Sequence, residues 1–117
     1  MDFANCSVSD IEAATREKLD ELPFGVIGFG PDAAVQLYSA AESRMAGLSP
    51  DRVVGKHIFA VVAPCMNNYL VAQRFEDEPE LDATIDFVLT LRMRPTPVKL
   101  RMLKSAGATR RYLLIQR

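Results

Sequence analysis

Hydrophobic and polar positions along the chain follow two periods. Ile11, Ala14, Leu19 and Leu22 recur at helical spacing, with Glu12, Arg16, Glu17 and Asp20 on the opposite side. Thr15 and Lys18 interrupt the apolar stripe. Ser9-Asp10-Ile11-Glu12 has the form of a capping box, so a helix is predicted from there to about Leu22, as an N-terminal lid that packs on something. Pro23 ends that pattern. Phe24 to Phe29 reads as a strand, Gly30-Pro31-Asp32-Ala33 as a turn, and Val35 to Tyr38 as the second strand of a hairpin. Ser39 to Ala46 is a short helix stopped by Gly47, a residue that tolerates the left-handed exit. Ser49-Pro50-Asp51 starts another turn of helix, and Gly55 permits a bend before the run from His57 to Val61. Asn67-Asn68 is a turn or cap signal, and Tyr69 to Phe75 reads as a helix followed by the acidic loop Glu76 to Glu80.

From Thr84 the period becomes two. Ile85, Phe87, Leu89, Leu91 and Met93 face one way; Asp86, Thr90 and Arg92 face the other, with Val88 an exception. This is a long half-buried strand. After the turn Arg94 to Pro97, residues Val98, Leu100 and Met102 alternate with Lys99 and Arg101 in a further strand. Ser105 to Ala108 is a turn, and Arg111 to Gln116 closes the sheet. The predicted fold class is α+β: five antiparallel strands with short helices on one face, residues 1–22 as a helical cap and 23–117 as the core.

The size of the chain, 117 residues and 49 % hydrophobic, suits one core and is too short for two domains. A formal net charge of -1 gives no reason to expect nucleic-acid binding. No apolar run approaches the roughly 18 residues a membrane helix requires. The N-terminus lacks the basic start and apolar centre of a signal peptide, so a cytoplasmic location is expected. Arg92, Lys99, Arg101, Lys104, Arg110 and Arg111 have no acids near them in the sequence and read as a solvated strand face.

The candidate chemistry sits in two stretches. One is Gly55 to Cys65, which ends in a thiol directed by Pro64 after an apolar run. The other is Tyr38-Ser39-Ala40-Ala41-Glu42, which sets a phenol and a carboxyl one helical turn apart. The residues alone leave two readings of Cys65, a small buried hydrophobe or an attachment point at the mouth of a pocket. Tyr38 reads equally as a core tyrosine, and Glu42 as a solvated residue favoured by a helix N-terminus. The small side chains of Ala40, Ala41 and Ala46 let this helix approach the sheet, and burial there would raise the carboxyl pKa. Cys6 has no comparable context and reads as incidental. No nucleophile-base-acid set and no phosphate loop is present.

The element order looks like a PAS domain. The residues narrow it: the chain resembles the photoactive yellow protein family over nearly its whole length. The resemblance rests on Leu22-Pro-Phe-Gly-Val-Ile27, Tyr38-Ser-Ala-Ala-Glu42, Val54-Gly-Lys56, Phe59 with Val62-Ala-Pro-Cys65, the group Met93, Pro95 and Thr96, and Val98-Lys-Leu-Arg-Met102. It implies a blue-light photoreceptor, not an enzyme, with 4-hydroxycinnamic acid (p-coumaric acid) thioester-linked to Cys65. Tyr38 and Glu42 would hydrogen-bond the pigment's phenolate oxygen, and Ala46, Leu48, Phe59, Ala63, Pro64, Leu91 and Met93 would line its pocket. Light would isomerise the pigment, Glu42 would pass it a proton, and the N-terminal segment would loosen. The chain departs from the family at Ala46, where threonine is usual, at Leu48 for arginine, at His57 for asparagine and at Arg94 for threonine.

The partner implied is an unidentified downstream signalling protein, with no nucleic acid and no membrane, and the chain itself a monomer or weak homodimer. Two other readings stand beside this one: a PAS ligand-binding or protein-interaction module without a covalent pigment, and a haem sensor using His57.

Overall fold

Ser7, not Ser9, opens the first helix. Its hydroxyl accepts from the Asp10 N–H at 3.1 Å, while the Asp10 carboxylate accepts from the Ser7 N–H at 2.9 Å. The predicted long helix is in fact two, α1 (Val8–Ala13) and α2 (Arg16–Asp20). Thr15 is the reason: it adopts an extended backbone and its hydroxyl accepts from the Lys18 N–H at 3.2 Å, capping α2 and breaking the stripe where the sequence pattern was weakest. This computed structural model describes residues 1–90 and 94–117.

After the cap come β1 (Gly25–Phe29) and β2 (Val35–Tyr38), a hairpin with Ile27 opposite Tyr38 and an irregularity at Gly28/Phe29. Helices α3 (Ala40–Ala46) and α4 (Pro50–Val53) follow; α3 ends at Gly47, whose φ of 73° is the left-handed exit its sequence predicts. Residues Ile58–Val62 then form a π-helical turn, with the Ala63 N–H on the Ile58 carbonyl at 2.7 Å, and Pro64–Met66 a single 3-10 turn. The predicted helix from Tyr69 starts later, as α5 (Ala72–Asp77), because the Asn68 side chain first turns the backbone by accepting from the Leu70 and Val71 N–H groups. Strand β3 (Leu81–Leu89) begins three residues before the alternation at Thr84, and β4 (Thr96–Lys104) and β5 (Arg111–Gln116) complete the set.

All five strands pair antiparallel in the order β2-β1-β5-β4-β3. Alternation along them supplies two cores. Ile27, Phe29, Leu100, Met102, Leu113 and Ile115 pack with the helices that follow β2. Val26, Leu37, Leu103, Tyr112 and Leu114 pack on the other face against Phe3, Cys6, Ile11 and Leu19 of the N-terminal cap.

The basic stretch is not a bare solvated face. Acids from the neighbouring strand β3 reach it, so sequence distance misled. Lys99 pairs with Asp86 at 2.6 Å, and Arg101 is buried, holding Asp82 through Nε at 2.9 Å and Nη2 at 3.0 Å. The Arg101 Nη1 also donates to the Phe3 carbonyl at 2.9 Å. Cys6 is not incidental in packing either: it is buried beside Arg101, and burial pushes its thiol pKa up. Arg92 lies outside the described residues.

Candidate functional site: a buried phenol and carboxyl beside a half-buried thiol

Tyr38 closes β2 with its side chain turned into the helix-side core, where the residue is 1 % exposed. Burial drives its pKa far above the ordinary tyrosine value; the nearby Glu42 charge adds to this and Arg117 offsets part of it.

Ser39 fixes where Glu42 lies. Its hydroxyl accepts from the Val26 N–H at 2.9 Å and from the Glu42 N–H at 3.4 Å, tying the start of α3 to β1. Glu42 is 2 % exposed and lies over Gly25 of β1. A Cβ at Gly25 would collide with Oε1 of Glu42 and sit 3.0 Å from its Cβ, so glycine there is what lets the carboxyl lie on the strand. Arg117 meets that carboxyl, with Nη1 at 2.7 Å from Oε1 and Nη2 at 3.2 Å from Oε2. Burial raises the Glu42 pKa and the guanidinium pulls it back; the net direction is upward.

Cys65 is free and half-buried, packed against the same core as Tyr38. The π-helical turn and Pro64 deliver it there, and the Asn68 amide donates to its carbonyl at 3.1 Å. Phe59 and Ala63 are buried in that core, with Phe59 edge-on to Phe29 at 5.6 Å. Leu48 packs on it, its carbonyl held by the Ser43 hydroxyl at 2.7 Å. Ala46 is buried, whereas Pro64 is exposed. Leu91 and Met93 lie outside the described residues. His57 caps the π-helical turn, its Nδ1 accepting from the Phe59 and Ala60 N–H groups at 3.1 and 3.0 Å. A cleft of about 550 Å³ lies between the N-terminal cap and the outer sheet face beside Tyr112.

The cap touches this region directly. Arg16 of α2 donates to the Tyr38 carbonyl at 2.9 Å, and Asp20 accepts from the Ala40 N–H at 2.9 Å. Neither contact was visible in the sequence, and nor was Arg117, which lies 75 residues beyond Glu42. The described residues thus offer a half-buried thiol, a buried phenol and a desolvated carboxyl. Among the described residues no cluster of His, Cys, Asp and Glu could hold a metal ion. Nor is any described helix long and apolar enough to cross a membrane.

Sheet order, short helices and cap define a PAS-type sensory domain. The PAS domain of an HTR-like protein from Haloarcula marismortui superposes with a TM-score of 0.68 over 93 % of this chain and 98 % of that one, at 11 % identity, a likeness of fold alone. The photoactive yellow protein domain of the sensor histidine kinase Ppr from Rhodospirillum centenum superposes with a TM-score of 0.85 at 32 % identity, over 93 % of this chain and 98 % of that one. A photoactive yellow protein from Rhodothalassium salexigens is 29 % identical across 100 % of this chain and 99 % of its own length. One from Halochromatium salexigens matches with the same identity and coverage. No family model matches the chain. The chain belongs to the photoactive yellow protein family, a family of PAS photoreceptors.

Proposed function

We propose that the chain is a blue-light photoreceptor carrying 4-hydroxycinnamic acid as a thioester on Cys65. The observation that carries this reading is the pairing of two acidic groups out of solvent, Tyr38 at 1 % and Glu42 at 2 % exposure, with a free thiol against the core that holds Tyr38. When bound, the pigment supplies a double bond that blue light isomerises and a phenolic oxygen whose proton affinity changes with that geometry.

The chain's residues do the rest. Cys65 Sγ is the acyl attachment point. The Tyr38 hydroxyl donates to the phenolic oxygen and compensates for its desolvation; charge-assisted bonds of this kind are roughly twice as strong as neutral ones. Glu42, whose pKa burial raises, holds a proton and releases it to that oxygen. Phe59, Ala63 and Leu48 exclude water, with Leu91 and Met93 assigned the same role and Ala46 and Pro64 shaping the two ends of the site. A newly ionised Glu42 changes the charge at the start of α3. The Asp20 and Arg16 contacts carry that change to the cap, whose loosening a downstream signalling protein in the cytoplasm would read. The relative from Rhodospirillum centenum, a domain of a sensor histidine kinase, supports a signalling partner.

The test is spectroscopic. Purified chain mixed with activated 4-hydroxycinnamate should gain a visible band that bleaches under blue light, and Cys65→Ala should gain none. Unchanged colour in Cys65→Ala sinks the thioester assignment. A chain that takes no pigment at all sinks the photoreceptor reading in favour of a PAS interaction module.

A further inference from the structure

The bidentate contact between Arg117 and Glu42 has the fork geometry of a guanidinium on a carboxylate. The two side chains are 15 % and 3 % exposed, so water does little to weaken their attraction. Such a fork favours the ionised carboxylate over the carboxylic acid, against the burial that favours the acid. Among the described residues, the charged and titratable groups facing Glu42 are Arg117 beyond β5 and Tyr38 on β2; β1 presents only Gly25.

We propose that Arg117 is the positioning residue that captures Glu42 in its ionised form and so sets when this carboxyl can give up its proton. The proposal deepens the photoreceptor reading and rests on it for the proton's destination. Glu42 passes from carboxylic acid to carboxylate as the accepting phenolate oxygen becomes a phenol, so charge is relocated and none is created. The new carboxylate then lies against a cation rather than alone in an apolar site. Arg117 therefore stabilises the state after proton release and slows the return. The same contact links Glu42 to the end of β5, giving the site a second mechanical connection besides the one to the cap.

The experiment begins with the full chain free of pigment, labelled with 13C at the glutamate side-chain carboxyl and titrated by NMR; Glu42→Gln assigns the resonance. In Arg117→Gln, Glu42 should ionise at least about one pH unit higher than in wild type, a tenfold change in the equilibrium. Arg117→Lys, which keeps the charge and loses the fork, should fall between them. Arg117 lies outside the strand pairing of β5, so these variants are expected to fold, and matching backbone spectra check it. Coincident Glu42 titrations in wild type and Arg117→Gln overturn the proposal. In the pigment-loaded chain, Arg117→Gln should recover in the dark several-fold faster, and an unchanged recovery overturns the kinetic part. A chain that shows the Glu42 shift but never colours leaves Arg117's hold on Glu42 standing and sinks the photoreceptor reading. A chain that colours and bleaches without that shift does the reverse.

Discussion

Asp20 caps a helix to which it does not belong: its Oδ1 accepts from the Ala40 N–H, the first of α3, at 2.9 Å. The N-terminal N–H groups of a helix lack partners within it, and here the last residue of α2 supplies one from outside. Arg16 of the same helix holds the Tyr38 carbonyl, so α2 grips both sides of Ser39.

Asp20→Ala should therefore act at a distance. The loss should be about 0.5–2 kcal/mol of stability, the usual scale for a removed helix cap. Hydrogen exchange should quicken at Ala40 to Glu42 and across residues 8–20 together, with β4 and β5 unaffected. Faster exchange in α2 alone would show that the cap and α3 are not coupled through this contact.

Arg101 fastens the cap from the other side of the sheet. Arg101→Met should cost about 1.5–3 kcal/mol, the scale for hydrogen bonds to a charged group, because the Phe3 carbonyl loses its donor. Asp82, whose side chain is 62 % exposed, is left to water. Urea unfolding gives the magnitude, and exchange in residues 3–14 gives the place. The pH dependence has a definite sign. The hydrogen bond from Arg101 holds the Asp82 pKa below its ordinary 3.8. Its stabilisation is present above that pH and lost as pH falls through the lower folded value. Solvent screening makes the effect small. Arg101→Met should be the flatter of the two curves in acid, and parallel curves would reject the coupling.

Tyr112 gives the opposite pH signature. Burial, chiefly, and the Glu12 charge raise its pKa from 10.0 to about 12, and its hydroxyl donates to Glu12 at 3.1 Å. In the unfolded chain the phenol ionises first, so stability should be complete below about pH 10 and fall as pH rises towards 12. Tyr112→Phe should cost about 0.5–1.5 kcal/mol near neutrality, the net worth of one hydrogen bond. It should also lose less stability than wild type between pH 10 and 12. Tyr38 contributes to the remaining alkaline loss in both proteins. Equal loss in the two would show that Tyr112 is not the titrating group.

Most of the sheet was legible because each strand carries its own period. Val35 to Tyr38 and Arg111 to Gln116 were read with the bounds they adopt, and Gly47 marked its helix end by the backbone it alone tolerates cheaply. The N-terminal helix was read as one because Ile11 and Leu19 do share a buried face; Thr15 chose capping over continuing, a local competition the stripe does not record. The acids that serve the basic strands were missed for a different reason. Asp82 and Asp86 lie 19 and 13 residues from Arg101 and Lys99, and only the β3–β4 register brings them together. At the candidate site, Tyr38, Glu42 and Cys65 were singled out by their local context and by resemblance, and the structure buries the first two and half-buries the third. Gly25 and Arg117 complete the carboxyl's surroundings through tertiary contact, which no local pattern encodes.

The position of β5 between β1 and β4 also bears on how the molecule is made. The β1–β2 and β3–β4 hairpins do not pair with each other; residues 111–116 join them. During synthesis the two halves must wait, each with an unsatisfied edge, until this stretch leaves the ribosome, and the slow long-range closure comes last. Arg117 follows that stretch immediately, so Glu42 stays without its cation until the sheet is whole.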